Sequence, residues 1–466
     1  MPGRVLVVTY YFPPVGGVGV QRTLKYVTYL PKWGWQPVVV APRDPGYPIR
    51  DASLLAALPP DLEIHRSLSL EPSRVRRALS NRLGGRGSTA AQKPAAAEAS
   101  TPPAVVSVGR GPELRSRRRR VDSVVRAPLL FGASLWSRAW EAILFPEEAV
   151  AWFPFGTCSA RRIARSGSID VIYSSSPPIT AHLVAGMVKG ATGKPWVADF
   201  RDPWVGNSFA ARSSGVKQQL SRRTERWIVE RADRVVLAVE ELREMFVARY
   251  PHLPGKFVCI PNGYDPLELA GLDLPPPQPG RFVVLYAGSL YRPQELEAFL
   301  LGVELLVARR PDLRDKLRVE FVGRSNESNR RLAETYTAPD RLGDVVSFEG
   351  FVPRPEALAR MASADALLQL MPDEPGASMF VGGKLMEYLA FGRPILAVMP
   401  PGEGRRLVDS VPVGRSADVE PESIAAALER LVDDPPPLGS ADPTGRYDRV
   451  NLAGELATLL DQVSAT

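Results

Sequence analysis

Short apolar runs recur along this chain, most of them separated by stretches with helical spacing. In the first half they fall at 5–9, 36–41, 170–174, 196–200, 234–239 and 257–260; in the second half they fall at 281–287, 318–322, 345–348, 366–370 and 394–398. Runs this short and this continuously apolar are buried on both faces, and their alternation with helices marks a parallel sheet covered on both sides. The first run passes through a glycine turn, Pro13-Pro14-Val15-Gly16-Gly17-Val18-Gly19, into a helix over about 19–33. The pattern breaks at Leu274-Pro-Pro-Pro-Gln-Pro-Gly280, a proline-stiffened segment, and restarts beyond it. It predicts an α/β protein of two doubly wound, Rossmann-like domains facing across a cleft at the carboxyl ends of their strands. Residues 1–263 form the first domain, 264–280 the linker and 281–445 the second domain; a helix within 446–466 crosses back to the first.

Length agrees with this division, since 466 residues exceed one ordinary core. The two cysteines, Cys158 and Cys259, are far apart, which excludes a disulfide framework and a thiolate metal site. Three histidines leave little for a histidine metal centre, so no metal ligand is assigned. Met1-Pro2-Gly3-Arg4 leads straight into a strand, and no apolar window reaches the length of a membrane span, so the expected location is cytoplasmic. The net charge of +7 is concentrated: Arg110, Arg115 and the arginines at 117–120 share one segment. That segment lies in a Gly-, Ala-, Ser-, Pro- and Arg-rich insertion at 84–120, which is expected to be disordered. No zinc-finger spacing or basic helix with interleaved aromatics accompanies it, so nucleic acid is not an expected partner. Residues 121–155 carry Trp136, Trp140, Phe145, Trp152, Phe153 and Phe155. Two readings stand: core with an acceptor pocket, or an interfacial element contacting an anionic membrane through 110–145.

Chemistry concentrates at the run ends. The segment 382–394 opens a short helix with two glycines and then places Lys384 and Glu387 on one face, with Leu385 and Met386 available for packing. Backbone N–H groups and a cation suit a diphosphate, and a carboxylate suits ribose hydroxyls; the plain alternative is a surface ion pair. Asp199, Arg201 and Asp202 crowd one strand end, where they either orient acceptor hydroxyls or pair with one another. His182 follows Ser-Ser-Ser-Pro-Pro near another, as a hydroxyl partner or as a core residue. Gly288-Ser289, Gly323-Arg324 and Gly350-Phe351 end successive runs, as places of close backbone approach by a ligand or as plain turns.

Five ordered segments resemble the retaining, nucleotide-sugar-dependent GT-B glycosyltransferases of family 4. They are Tyr11-Phe-Pro-Pro-Val-Gly-Gly-Val-Gly19, Ala198-Asp-Phe-Arg-Asp-Pro-Trp204, Ile260-Pro-Asn-Gly-Tyr-Asp265, Ala287-Gly-Ser-Leu290 and Gly383-Lys-Leu-Met-Glu-Tyr-Leu-Ala-Phe-Gly-Arg-Pro394. The resemblance covers nearly the whole chain outside 84–120. It implies a donor site in the second domain and an acceptor site in the first. It implies donor contacts at Gly16, Gly17, Gly288, Ser289, Arg292, Arg324, Lys384, Leu385 and Glu387, and catalytic roles for His182, Asp199, Arg201 and Asp202. Glu387 corresponds to the ribose-holding second glutamate of the family's E-x7-E pair. Met379 stands where the first glutamate is expected, with Asp373 and Glu374 the nearest acids upstream. The lysine that usually follows the 287–290 turn is also missing, for the helix there reads Pro-Gln-Glu-Leu-Glu. The implied activity is sugar transfer without a metal or other cofactor, onto a glycan or lipid-linked acceptor. The setting is cell-surface polysaccharide or glycolipid synthesis, peripheral to the inner face of the cytoplasmic membrane. The alternatives are a degenerate nucleotide-sugar-binding or scaffold subunit, and an epimerase or hydrolase of the same fold.

Overall fold

The computed structural model describes residues 2–46, 50–72, 144–206, 215–276, 278–290, 292–374, 376–377 and 380–465. The insertion expected at 84–120, the arginines at 117–120, nearly all of 110–145, and Met379 lie outside them. Strands β1 (Gly3–Thr9), β2 (Trp35–Pro42), β3 (Glu63–Ser67), β4 (Val171–Ser176), β5 (Trp196–Phe200), β6 (Arg234–Leu237) and β7 (Phe257–Cys259) form one sheet in the order β3-β2-β1-β4-β5-β6-β7. Strands β8 (Phe282–Ala287), β9 (Leu317–Val322), β10 (Val346–Gly350), β11 (Ala366–Leu370), β12 (Ile395–Val398) and β13 (Gly414–Ala417) form the other, in the order β10-β9-β8-β11-β12-β13. Pairing is parallel: Val8 lies against Val40 on one side and Ser174 on the other. These are the two doubly wound sheets that the alternation implies.

Two compact units emerge, Met1–Val235 with Leu460–Thr466, and Val236–Leu459. In the first, Val5, Leu6 and Val8 of β1 are wholly buried, as are Ile172 of β4 and Val197 of β5. Of the aromatic stretch 121–155, residues 144–155 are described, and Trp152 there is core, its indole N–H donating to Ser67 Oγ at 2.7 Å. Near the chain's end, the Trp35 indole donates to Asp461 at 3.0 Å, from the helix Arg449–Ser464.

In the second unit, strand alternation sorts side chains into two cores. Val284 and Tyr286 of β8, Leu368 of β11 and Leu396 of β12 pack with Phe299, Leu300 and Leu428 on one face. Val283 and Leu285, Leu367, and Ile395 pack with Leu385, Met386, Tyr388 and Leu389 on the other. The helix Gly383–Phe391 is therefore anchored by four apolar side chains, and Lys384 and Glu387 remain outside that core. The segment expected as linker contains a short helix, Pro266–Leu269, capped by the Asp265 carboxylate on Leu267 N–H at 2.9 Å. No helix among the described residues is long and apolar enough to cross a membrane.

The strand orders reverse beside β1 and β4 in the first sheet and beside β8 and β11 in the second. Ligands of open α/β sheets bind at such points, outside the carboxyl ends. Gly392 ends the Gly383–Phe391 helix in the left-handed region at φ 59°, and a Cβ there would lie 2.2 Å from the Gly439 carbonyl oxygen. Gly392→Ala should therefore cost about 2 kcal/mol from the backbone alone, more with the clash, read as a lower urea midpoint for the second unit.

Candidate active site

In the first unit the loops after β1, β4 and β5 converge on Arg201. Its Nε donates to the Ser176 carbonyl at 2.8 Å, one terminal nitrogen donates to Pro177 at 3.0 Å, and the other donates to the Gly19 carbonyl. Gly17, at φ 94°, caps the helix Val18–Tyr29, and Gly16 is buried beside it. One turn on, Arg22 grips Asp199 through two nitrogens, at 2.7 and 3.1 Å, with both side chains essentially inaccessible. The Tyr173 hydroxyl donates to the same carboxylate, and burial with that charge pushes its pKa well up. Asp199 and Arg201 are thus committed to the protein's own groups. Asp202 is half-buried, and its carboxyl is pushed up by burial, with Arg201 opposing.

His182 lies in the helix Thr180–Thr192 and is fully buried, its ring 4.5 Å from that of Phe200. The Trp196 indole donates to Ser174 Oγ at 2.7 Å, and the same hydroxyl shares a hydrogen bond with His182 Nδ1 at 2.8 Å. Nε2 has no partner among the described residues. Burial, with Arg201 nearby, pushes this imidazole down to about 3. Sequence spacing had no means of separating the buried from the accessible histidine.

In the second unit the strand-end glycines meet one another. A Cβ on Gly323, at φ 143°, would lie 1.9 Å from the Gly288 carbonyl oxygen, and Gly323 N–H donates to the Gly350 carbonyl at 2.6 Å. The close approach at Gly323 is made by neighbouring backbone. At Gly288, φ 139°, it is made by Lys384, whose Cδ would sit 2.6 Å from an added Cβ. The Lys384 ammonium stands 3.7 Å from the centre of the Tyr286 ring, while the Tyr286 hydroxyl donates to the Ser289 carbonyl at 2.9 Å. Burial pushes Lys384 down to about 7 against the pull of Glu295 and Glu387.

Glu387 does not pair with Lys384. Its carboxylate accepts from Arg354 at 2.9 Å, and Arg354 also donates to Glu268 at 2.5 and 2.9 Å. Arg292 pairs with Glu374 at 2.6 Å, and Arg324 stacks 4.9 Å over the exposed Phe351 ring. Leu385 turns into the core, with its N–H on the Gly382 carbonyl at 2.9 Å. Sequence reasoning missed Arg354, Glu268, Glu295 and Tyr388. The Tyr388 hydroxyl accepts from Ala287 N–H and donates to the Leu368 carbonyl, both at 3.2 Å, pinning this helix to β8 and β11. Among the described residues no cluster of His, Cys, Asp and Glu could hold a metal ion.

The model for Glycosyltransferase Family 4 matches residues 95–267, and that for Glycosyl transferases group 1 matches residues 281–434. The chain belongs to the GT-B glycosyltransferases of the family 4 type. Solved structures agree along its whole length. A glycosyltransferase from Rickettsia africae is 12% identical with a TM-score of 0.60, covering 99% of both chains. Sucrose-phosphate synthase from Thermosynechococcus elongatus is 16% identical at 0.57, again with 99% of both chains covered. Anabaena HepE, in complex with UDP and glucose, is 14% identical at 0.57, covering 99% of this chain and 100% of its own. At these identities the likeness is one of fold. No curated protein sequence matches this glycosyltransferase.

Two outcomes follow for the glycosyltransferase's first unit. Asp199→Ala strands a buried Arg22 and should cost about 3–5 kcal/mol, whereas Tyr173→Phe should cost about 1 kcal/mol; urea titration separates the two. For His182, the folded ring refuses a proton down to about 3, and the unfolded one accepts it at its ordinary 6.5. Between those values the unfolded chain binds more protons, so stability falls as pH falls, by at most about 1.4 kcal/mol per pH unit. That part of the slope should vanish in His182→Gln.

Proposed function

We propose that this glycosyltransferase moves a sugar from a nucleotide-diphosphate sugar to a glycan or lipid-linked acceptor, with retention and without a metal. The observation that carries the reading is the first turn of the Gly383–Phe391 helix. It sets Lys384 against the Gly288 backbone at the end of β8 and Glu387 one helical turn further on. Lys384 and the N–H groups of that helix start suit the diphosphate. Glu387 shares Arg354 through Oε1, which leaves Oε2 for ribose hydroxyls. HepE, whose fold this chain shares, holds UDP and glucose, which supports a ligand of this class.

In the proposed reaction the bond from the anomeric carbon to the diphosphate oxygen breaks, and the acceptor oxygen bonds that carbon on the same face. The acceptor's proton passes to the leaving phosphate. Charge builds on the diphosphate as it departs, so a fixed ammonium and helix N–H donors are worth most at that moment. The protein's own cations fill the role a metal would otherwise take. The arginine-rich segment at 117–120 supports work on a lipid-linked acceptor at the inner membrane face, in cell-surface polysaccharide or glycolipid synthesis.

A nucleotide-sugar panel read by thermal shift should reveal one preferred donor, because a ligand of the folded state raises its melting temperature by mass action. Glu387→Ala and Lys384→Ala should each abolish that shift while unfolding normally in its absence. Unchanged shifts in both variants would sink the donor assignment.

A further inference from the structure

Glu295 is a buried acid to which the proposed transfer assigns no task. It sits in the first turn of the helix Pro293–Arg309, 5% exposed, and its Oε2 has no hydrogen-bond partner among the described residues. Three charged groups face it from three elements. Arg292 caps its own helix, Glu374 follows β11 and pairs with Arg292, and Lys384 opens the Gly383–Phe391 helix. Lys384 is faced in turn by Glu295, by Glu387 on its own helix and by the Tyr286 ring from β8. The neighbouring Tyr388 hydroxyl is spent on Ala287 and Leu368. Glu295 and Lys384 sense each other's charge, yet no direct ion pair closes between them among the described residues.

A deep oxygen with no partner among the described residues, beside a cation that closes no ion pair among them, invites one group that satisfies both. Building on the donor reading above, we propose that Glu295 is a positioning carboxyl for the donor's diphosphate and takes up a proton as that diphosphate settles beside Lys384. A sugar diphosphate carries two negative charges. It needs Lys384 as the ammonium and repels a carboxylate at Glu295, whereas the neutral acid has an O–H to donate to a phosphate oxygen. Burial pushes Glu295 up to about 7 and Lys384 down to about 7, so near neutrality neither is fully protonated in the vacant protein. Well above pH 7, filling the site draws close to one proton from solvent to each, and no covalent bond changes. By linkage, affinity weakens as pH rises above those values. The dependence is steeper than one proton where both groups titrate, and no steeper than one where Lys384 titrates alone.

The test is calorimetry on the full chain with UDP-glucose, ADP-glucose and GDP-mannose, whose diphosphates do not ionise between about pH 6 and 9. Titrations at pH 8 in two buffers of different ionisation enthalpy give the protons taken up per ligand. The wild type should take up more than one, and the near-isosteric Glu295→Gln about one fewer. Equal uptake in the two proteins overturns the role of Glu295. So does a wild-type uptake of one or less, whatever the variant does. If none of the three ligands binds the wild type, the donor reading fails and this inference falls with it.

Discussion

Strands β1, β4 and β5 in one sheet, and β8, β11 and β12 in the other, are closed to water on both faces. A charge placed inside such a strand loses its hydration, and only an equally good set of partners can replace it. Most ionisable side chains are therefore driven to the strand ends. Asp199 is the informative exception. It lies within β5 at zero exposure, and two guanidinium nitrogens and a phenol hydroxyl stand in for its water. The second sheet tolerates only a neutral amide at the comparable depth, Gln369 in β11, which donates to the Leu370 carbonyl.

The same constraint sorts the two clusters by what they can still do. In the first unit Arg22, Asp199 and Arg201 are occupied by the protein, and His182 is neutral and sealed behind aromatic rings. In the second, Arg354 is divided between two carboxylates, Lys384 rests on a ring face, and Glu295 keeps an oxygen with no partner among the described residues. A site meant for an anion has to leave its own charges under-satisfied until that anion arrives. Of the cations just named in the second unit, Lys384 is the one that closes no ion pair among the described residues.

Much of this was legible in the sequence, for identifiable reasons. The central strands were, because continuous apolar runs of that length have no other home. The strands β3, Glu-Ile-His-Arg-Ser, and β13, Gly-Arg-Ser-Ala, were not. Both lie at sheet edges, where one side faces no partner strand and polar residues are admitted. Lys384 and Glu387 could be picked out because helical spacing is local. Arg354 reaches Glu387 from 33 residues away and is itself held by Glu268, a juxtaposition that spacing does not encode. At the strand-end glycines, residue type offered a ligand's close approach or a plain turn. Among the described residues nothing comes within 4 Å of a Cβ at Gly350, while at Gly323 the close neighbour is the protein's own chain.

Arg201 holds the loops after β1 and β4 through three backbone carbonyls, those of Gly19, Ser176 and Pro177, and through none of their side chains. Such a clasp constrains the path of the chain while remaining indifferent to much of its spelling. Residues on these loops can be exchanged so long as each substitute keeps the same backbone course. Lengthening either loop by one residue would displace a carbonyl and release both. Diversity at this end of the molecule is thus open to substitution and closed to insertion.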